Sequence, residues 1–302
     1  MKNYPANMID LMDMFPTEDA CLEYLIQMRW PQGYHCLRCG SVSYWKKARG
    51  LFCCRDCHYE GSVTCGTLFE NTRKPLRLWF QAIWYVVNQK NGVSALGLQK
   101  ALGLGSYHTA WEWLHKLRRA MVRPGRNKLS GLVEMDETFI GGVRSGKRGR
   151  GAEGKVLVLI AVEITGETMG RIRLSTIPNA SSESIKEATL QMVAPESTIH
   201  TDGWDGYNIL AVHGYFHVPT PHVNASGDAT PMAHRVISLL KRWWLGTHQG
   251  AISPEHLPYY LDEFTFRFNR RTSRSRGKLF YRLIEQALQI DPVPAKKITH
   301  NI

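Results

Sequence analysis

The chain has 302 residues, 43% of them hydrophobic, enough for one sizeable core and one or two small modules. A formal net charge of +12 and an isoelectric point near 9.4 point to a polyanionic partner. The longest apolar run, Val156 to Val162, is strand-length and no apolar h-region opens the chain, so neither export nor membrane anchoring is expected and the protein should be soluble and cytoplasmic.

In chain order, residues 1–70 begin with a short helix N-capped by Thr17, with Glu18 and Asp19 in its first turn, and then reach the cysteines. Cys36-x2-Cys39 and Cys54-x2-Cys57, fourteen residues apart, have the spacing of a structural zinc ribbon, in which four thiolates close a tetrahedral site. Gly40 suits the tight backbone of the first knuckle. Cys53 beside Cys54 leaves the register ambiguous, although Cys54 makes the symmetric pair with Cys57; Cys21 and Cys65 read as buried small side chains. Seven cysteines without a secretory segment point to a reducing compartment.

Residues 71–125 read as helical. Trp79, Ile83, Val86 and Val87 mark one apolar face, and Ser94 to Ala101, a glycine-punctuated Leu102–Gly105 and Ser106 to Met121 suggest a helix-turn-helix. Its second helix carries Lys116, Arg118 and Arg119, candidate DNA contacts; a plain helical hairpin packed through Leu102, Leu104 and Trp113 is the competing reading.

Pro124-Gly125-Arg126-Asn127 reads as the linker into residues 126–302. Strands are expected at 131–140, 155–164, 169–177 and 197–201, helices at 181–193, 229–246, 254–269 and 277–290, giving an α/β fold with a mixed sheet. Alternation along the first strand puts Glu134, Asp136 and Thr138 on one face and turns Glu137 away. Asp202 ends another strand, where Gly203 allows a sharp turn. Two acids at the edge of one sheet can converge on a cation. On the 229–246 helix, His234, Ser238 and Lys241 fall at i, i+4 and i+7, near one face, and suit a site that holds a metal and a phosphate. Asp228, Glu255 and Glu263 are rival third ligands, but none has a lysine or arginine seven residues on in the same helix; Glu134 is a candidate for an accessory role.

Basic residues cluster twice around this core. Arg144, Lys147, Arg148 and Arg150 fill a glycine-rich stretch, and a second run goes from Arg267 through Arg270 and Arg271 to Lys278; both read as DNA contacts.

Four stretches together, VEMDET (133–138), HTDGWDGY (200–207), MAHRVISLLKRWWLG (232–246) and HLPYYLDEFTFRFNRR (256–271), resemble bacterial insertion-sequence transposases of the acid-triad type, specifically the zinc-ribbon, ISXO-like group. With the cysteines included, the resemblance spans almost the whole chain. It implies a ribonuclease-H-like catalytic core behind the ribbon and a helical DNA-binding module. It also implies that Asp136 and Asp202 match the first two metal-binding aspartates, with His234 standing where glutamate is usual and Lys241 as the phosphate contact. The expected cofactors are two Mg²⁺ or Mn²⁺ ions, with histidine shifting preference toward Mn²⁺, beside the structural Zn²⁺. The expected partners are the terminal inverted repeats, target DNA and a second copy of the chain in a synaptic complex. A domesticated DNA-binding protein and a nuclease that only hydrolyses are the alternatives.

Overall fold

The computed structural model describes residues 4–47, 50–123, 125–141, 155–220, 229–250, 252–295 and Ile298. Its packing divides the chain into two units. One joins Met1–Pro124 to Ser273–His300; the other is built on Gly125–Thr272.

The first unit opens with α1 (Met8–Met14), which the sequence reading did not anticipate, and α2 (Glu18–Arg29), which Thr17 caps by accepting from the Ala20 N–H. Three short antiparallel strands follow, β1 (Tyr44–Lys46), β2 (Leu51–Cys54) and β3 (Glu60–Ser62), in the order β1-β2-β3. Helix α3 (Leu76–Asn88) has Pro75 at its N-cap and no side-chain cap of its own. The Glu18 carboxylate of α2 takes that place, accepting from the Leu76 and Arg77 N–H groups at 2.6 and 3.1 Å. Helices α4 (Ala95–Leu102) and α5 (Tyr107–Ala120) are capped by Ser94 and Ser106, and Gly103 ends α4 at φ 62°, the left-handed geometry that glycine accepts without strain. The two helices pack on each other in a helix-turn-helix arrangement, and Trp113 of α5 stacks on Trp79 of α3 at 3.8 Å between ring centroids.

The second unit is a five-stranded sheet with helices on both faces. Its strands are β4 (Leu132–Ile140), β5 (Val156–Thr165), β6 (Thr168–Ile177), β7 (Thr198–Thr201) and β8 (Phe216–Pro219), and they lie in the order β6-β5-β4-β7-β8. Strands β4, β5 and β6 form an antiparallel meander, while β7 and β8 run parallel to β4 and to each other. Numbered by appearance within the unit this is 3-2-1-4-5, the ribonuclease-H-like arrangement.

Side-chain alternation in the central strands builds two cores. Val133 and Met135 of β4, with Leu157, Leu159 and Ala161 of β5, face α6 (Ser182–Met192) and the 3₁₀ segment Asp205–His213. Val158, Ile160 and Val162, with Ile140, face α7 (Pro231–His248) and α8 (Leu257–Asn269). Strand β5 is covered on both sides, so its run of seven apolar residues does not alternate with polar ones. Each valine, leucine or isoleucine of the run contributes about 1.5–3 kcal/mol on full burial. Strand β8 and the 3₁₀ segment were not legible in the sequence, because Phe-His-Val-Pro is too short and mixed to show a period.

Helix α9 (Arg276–Ala287), expected at the end of the catalytic domain, packs instead on α3 and α5 in the first unit. Phe280 meets Phe15, Phe80 and Trp84 there, and Gly277 lies so close to the amino-terminal segment that a Cβ would fall 1.9 Å from the Pro5 carbonyl oxygen. Among the described residues no helix is long and apolar enough to cross a membrane.

Candidate metal centre and catalytic site

In the first unit, Cys36, Cys39, Cys54 and Cys57 bring their four sulfurs within 4.8 Å of one another. Cys36 and Cys57 are 3.5 Å apart and Cys39 and Cys54 3.6 Å. A tetrahedron of thiolates around zinc, at about 2.3 Å per bond, spaces its sulfurs by about 3.8 Å, so the donors fit that ion. The Cys53 thiol is directed at the Cys54 carbonyl oxygen, which settles the register in favour of Cys54. The electrostatics of the cluster are those of a cation site. Against the upward push of burial, the N–H groups of Cys39 and Arg38 draw the Cys36 thiol down to about 6. Cys39 is driven up to about 12, because the Ser41 N–H that lowers it is outweighed by the neighbouring sulfurs. Four thiolates this close repel one another, and a divalent cation removes the conflict.

In the second unit the geometry is built on β4. Helix α7 lies over the strand face that carries the even-numbered residues. On it, Asp136 and His234 meet: His234 Nε2 stands 2.9 Å from Asp136 Oδ2, with the carboxylate 14% exposed and the imidazole 47%. The Glu137 N–H donates to the other oxygen, Oδ1, at 2.7 Å. Burial pushes the Asp136 carboxyl up to about 6; His234 and the Glu137 N–H pull it down, while the charges of Glu137 and Asp202 raise it further. Asp202, just beyond the end of β7, is therefore close enough to be felt electrostatically. It does not join Asp136 and His234 in a tight cluster, since among the described residues the four cysteines are the one group of three or more ligand-type side chains within 4.8 Å of one another.

The loop after Asp202 is held tightly. Asp202 Oδ1 accepts from the Trp204 N–H at 3.1 Å, and the Trp204 indole donates to the Ala180 carbonyl at 3.1 Å. A Cβ on Gly206 would lie 2.4 Å from the indole nitrogen and 2.9 Å from that carbonyl oxygen, so the turn closes only around glycine. The buried Tyr207 hydroxyl then donates to Glu137 Oε2 at 2.6 Å, on the strand face opposite Asp136. Burial, reinforced by the Glu137 charge, keeps the Tyr207 proton in place well above the ordinary phenol range.

Glu134, on the Asp136 face, has a defined partner. Its Oε2 accepts from the N–H groups of Met232 and Ala233 at 2.8 and 3.0 Å. These are first-turn donors of α7, whose N-cap Thr230 makes no side-chain cap bond and whose first residue is Pro231. A carboxylate there also meets the positive end of the helix dipole, and a cap of this kind is typically worth about 0.5–2 kcal/mol. The signal for this role was the even-numbered spacing of Glu134 and Asp136; its partner, 98 residues away, had none.

His234, Ser238 and Lys241 are all exposed and share one face of α7, whose opposite face buries Ala233, Val236, Ile237, Leu240 and Trp244. Among the rival ligands, Glu263 is 1% exposed and bound to Arg267 at 2.7 Å on α8, Glu255 sits exposed in the Pro254–His256 turn, and Asp228 lies outside the described residues.

The basic residues differ in what they leave available. Arg144, Lys147, Arg148 and Arg150 lie outside the described residues. Arg271 is tied to backbone carbonyls, Phe268 at 3.0 Å, Gly170 at 3.2 Å and Met169, with its guanidinium 4.1 Å from the Phe268 ring centroid. Arg270 covers the Phe266 ring at 4.1 Å. On α5, Lys116 pairs with Glu112 at 2.6 Å and Arg119 is half-buried. The expectation for Arg118 needs correction: it is 1% exposed, because it projects from the face of α5 that packs into the unit, and a phosphate cannot reach it there.

Residues 128–269 match the ISXO2-like transposase domain, and residues 16–60 match the transposase zinc-ribbon domain. Among curated proteins, the chain is 29% identical over 292 residues to an uncharacterized protein in transposable element ISH50 of Halobacterium salinarum, a match covering 87% of this chain and 94% of the relative. It is 24% identical over 117 residues to an uncharacterized transposase-like protein of Haemophilus influenzae, covering 37% of this chain and 92% of that one. Among solved structures, a pre-cleavage Mos1 transpososome matches with a TM-score of 0.28 and 12% identity, over 74% of this chain and 82% of that one. Together the two domain matches take in more than half of the chain, in the order zinc ribbon then transposase domain, and the chain belongs to the zinc-ribbon, ISXO-like family of insertion-sequence transposases.

Proposed function

We propose that this transposase binds the terminal inverted repeats of its own element, nicks the ends with water, and joins the freed 3′ hydroxyls to target DNA. The observation that carries the reading is the meeting of Asp136 and His234 at 2.9 Å, on a face where the Asp202 charge is also felt. Two carboxylates and an imidazole are a donor set for Mg²⁺ or, better, Mn²⁺. Asp136, Asp202 and His234 would hold the divalent ions, which when bound activate the attacking oxygen and neutralise the leaving one in an in-line displacement.

The chain's own residues do the rest. Lys241, two turns beyond His234 on the exposed face of α7, binds a phosphate near the reacting bond as a point charge. Burial around Asp136 limits the water that competes for its oxygens. In cleavage the attacking oxygen is that of water and the leaving group is a 3′ oxygen. In joining, that 3′ hydroxyl attacks a phosphodiester of the target, so one site serves both steps.

End recognition falls to the helix-turn-helix. Recognition helices read base edges through their first residues. In α5 those are Tyr107 and His108, both exposed, rather than Arg118. The glycine-rich basic stretch at 144–150 and Arg270 follow phosphates. Two ends are handled together, which requires a dimer or larger synaptic complex. Its substrate puts the working protein at the cytoplasmic nucleoid.

The experiment is to incubate the protein with DNA carrying the element's ends in Mg²⁺ or Mn²⁺. Wild type should nick and join, while Asp136→Ala and Asp202→Ala should bind the ends without cutting. A wild type that binds but cuts with neither metal would favour a domesticated DNA-binding protein, and cutting without joining would favour a nuclease.

A further inference from the structure

We infer that Glu134 is a positioning residue that sets where His234 stands relative to Asp136; the inference rests on His234 acting as a metal donor. The relevant geometry is a single strand face. Glu134 and Asp136 are two residues apart on β4 and project the same way, toward α7. Glu134 takes the N–H groups of Met232 and Ala233, at 2.8 and 3.0 Å, and the next residue of α7 is His234, whose Nε2 stands 2.9 Å from Asp136. One pair of neighbouring side chains on one strand therefore grips the first turn of the helix at two points.

The helix needs that grip. Its N-cap Thr230 does not cap the first turn with its side chain and Pro231 contributes no N–H, so the first-turn donors begin at Met232. Without an acceptor, the first turn of α7 can fray, and His234 lies immediately beyond the two anchored residues. The apolar stripe of Ala233, Val236, Ile237, Leu240 and Trp244 holds α7 on the sheet by non-directional packing, and the two hydrogen bonds from Met232 and Ala233 to Glu134 add the directional restraint that ligation demands. The chain uses the same device once more, where Glu18 caps the uncapped start of α3. Glu134 thus commits its Oε2 to the helix and acts through His234 rather than as a ligand of its own.

The test is a double-mutant cycle on the full chain, with Mn²⁺ affinity read from the free-ion EPR signal in the absence of DNA, and thermal unfolding recorded for each variant. His234→Ala should weaken Mn²⁺ binding. Glu134→Ala should weaken it by about tenfold or more, the scale for losing a residue that orients a ligand. Glu134→Gln, which keeps a carbonyl oxygen facing the two N–H groups, should stay within about threefold of wild type. The double variant Glu134→Ala/His234→Ala should be no weaker than His234→Ala alone.

Additive losses, or a Glu134→Gln as poor as Glu134→Ala, would make Glu134 an independent ligand and overturn the inference. Unchanged Mn²⁺ affinity in Glu134→Ala beside a weakened His234→Ala would overturn it while leaving His234 as a donor. Unchanged affinity in His234→Ala would remove the reading beneath it.

Discussion

The hydroxyl of Tyr207 donates to Glu137 at 2.6 Å, and this bond ties the segment that follows Asp202 to the strand that carries Asp136. Tyr207 is fully buried and keeps its proton, so the bond persists across the working pH range. Tyr207→Phe removes the donor and preserves the ring. We predict a stability loss of about 1–3 kcal/mol by urea unfolding, together with slower end cleavage. Unchanged stability and cleavage would show that the two segments do not depend on each other.

The four-sulfur cluster predicts one zinc per chain. Cys54→Ser should abolish stoichiometric zinc in metal analysis and destabilise the ribbon, because structural zinc supplies about 10–16 kcal/mol of apparent binding energy in small domains. Cys53→Ser should retain zinc, since that thiol is directed at a backbone carbonyl. The reverse result would move the second knuckle by one residue.

Asp262 predicts a pH dependence. Burial pushes its carboxyl from 3.8 up to about 7, with Arg126 pulling the other way. The folded state thus holds the proton more tightly than the unfolded state. The associated stability is fully present below the unfolded value, declines as pH rises, and is lost once pH passes about 7. Asp262→Asn should remove this decline, so that its advantage over wild type in urea unfolding grows from pH 4 to about 7 and then levels, reaching on the order of a few kcal/mol. An advantage independent of pH would place the titration elsewhere.

Gly277 predicts a packing limit. A Cβ there would press on the Pro5 backbone at 1.9 Å, so Gly277→Ala should lower stability by about 1–3 kcal/mol and measurably reduce the melting temperature, even though alanine is the better helix former. A raised melting temperature would mean that the amino-terminal segment does not hold that position.

Much of this was legible in the sequence, and the limits have physical causes. Strands β4, β5 and β6 and helices α6, α7 and α8 announced themselves through long apolar-rich runs, β5 by its unbroken apolar stretch and α7 by its helical period. Helices α4 and α5 were marked by the glycine-punctuated Leu102–Gly105 between them, and the structure adds that Ser94 and Ser106 cap them. His234, Ser238 and Lys241 share an exposed face as their spacing implied. What stayed hidden depends on long-range pairing. No local pattern links Glu134 to Met232, or Glu137 to Tyr207, and a four-residue edge strand such as β8 has too few residues to alternate. Helix α9 was recognised as a helix, but not where it packs, because an amphipathic stripe does not say which face will cover it. Arg118 was misread for a related reason: a basic residue on a helix counts as surface until the helix's own apolar face is placed.

Strand transfer of pre-nicked end DNA in Mn²⁺, comparing wild type with His234→Ala and His234→Glu, tests the role of His234 most directly. Pre-nicking bypasses the first hydrolysis and isolates the joining step. His234→Ala should lose joining by about 10²-fold or more with end binding intact, and His234→Glu, which restores an oxygen donor at the same place, should retain part of it. Joining by His234→Ala at the wild-type rate would contradict the assignment and leave the third donor to be found among Asp228, Glu255 and Glu263.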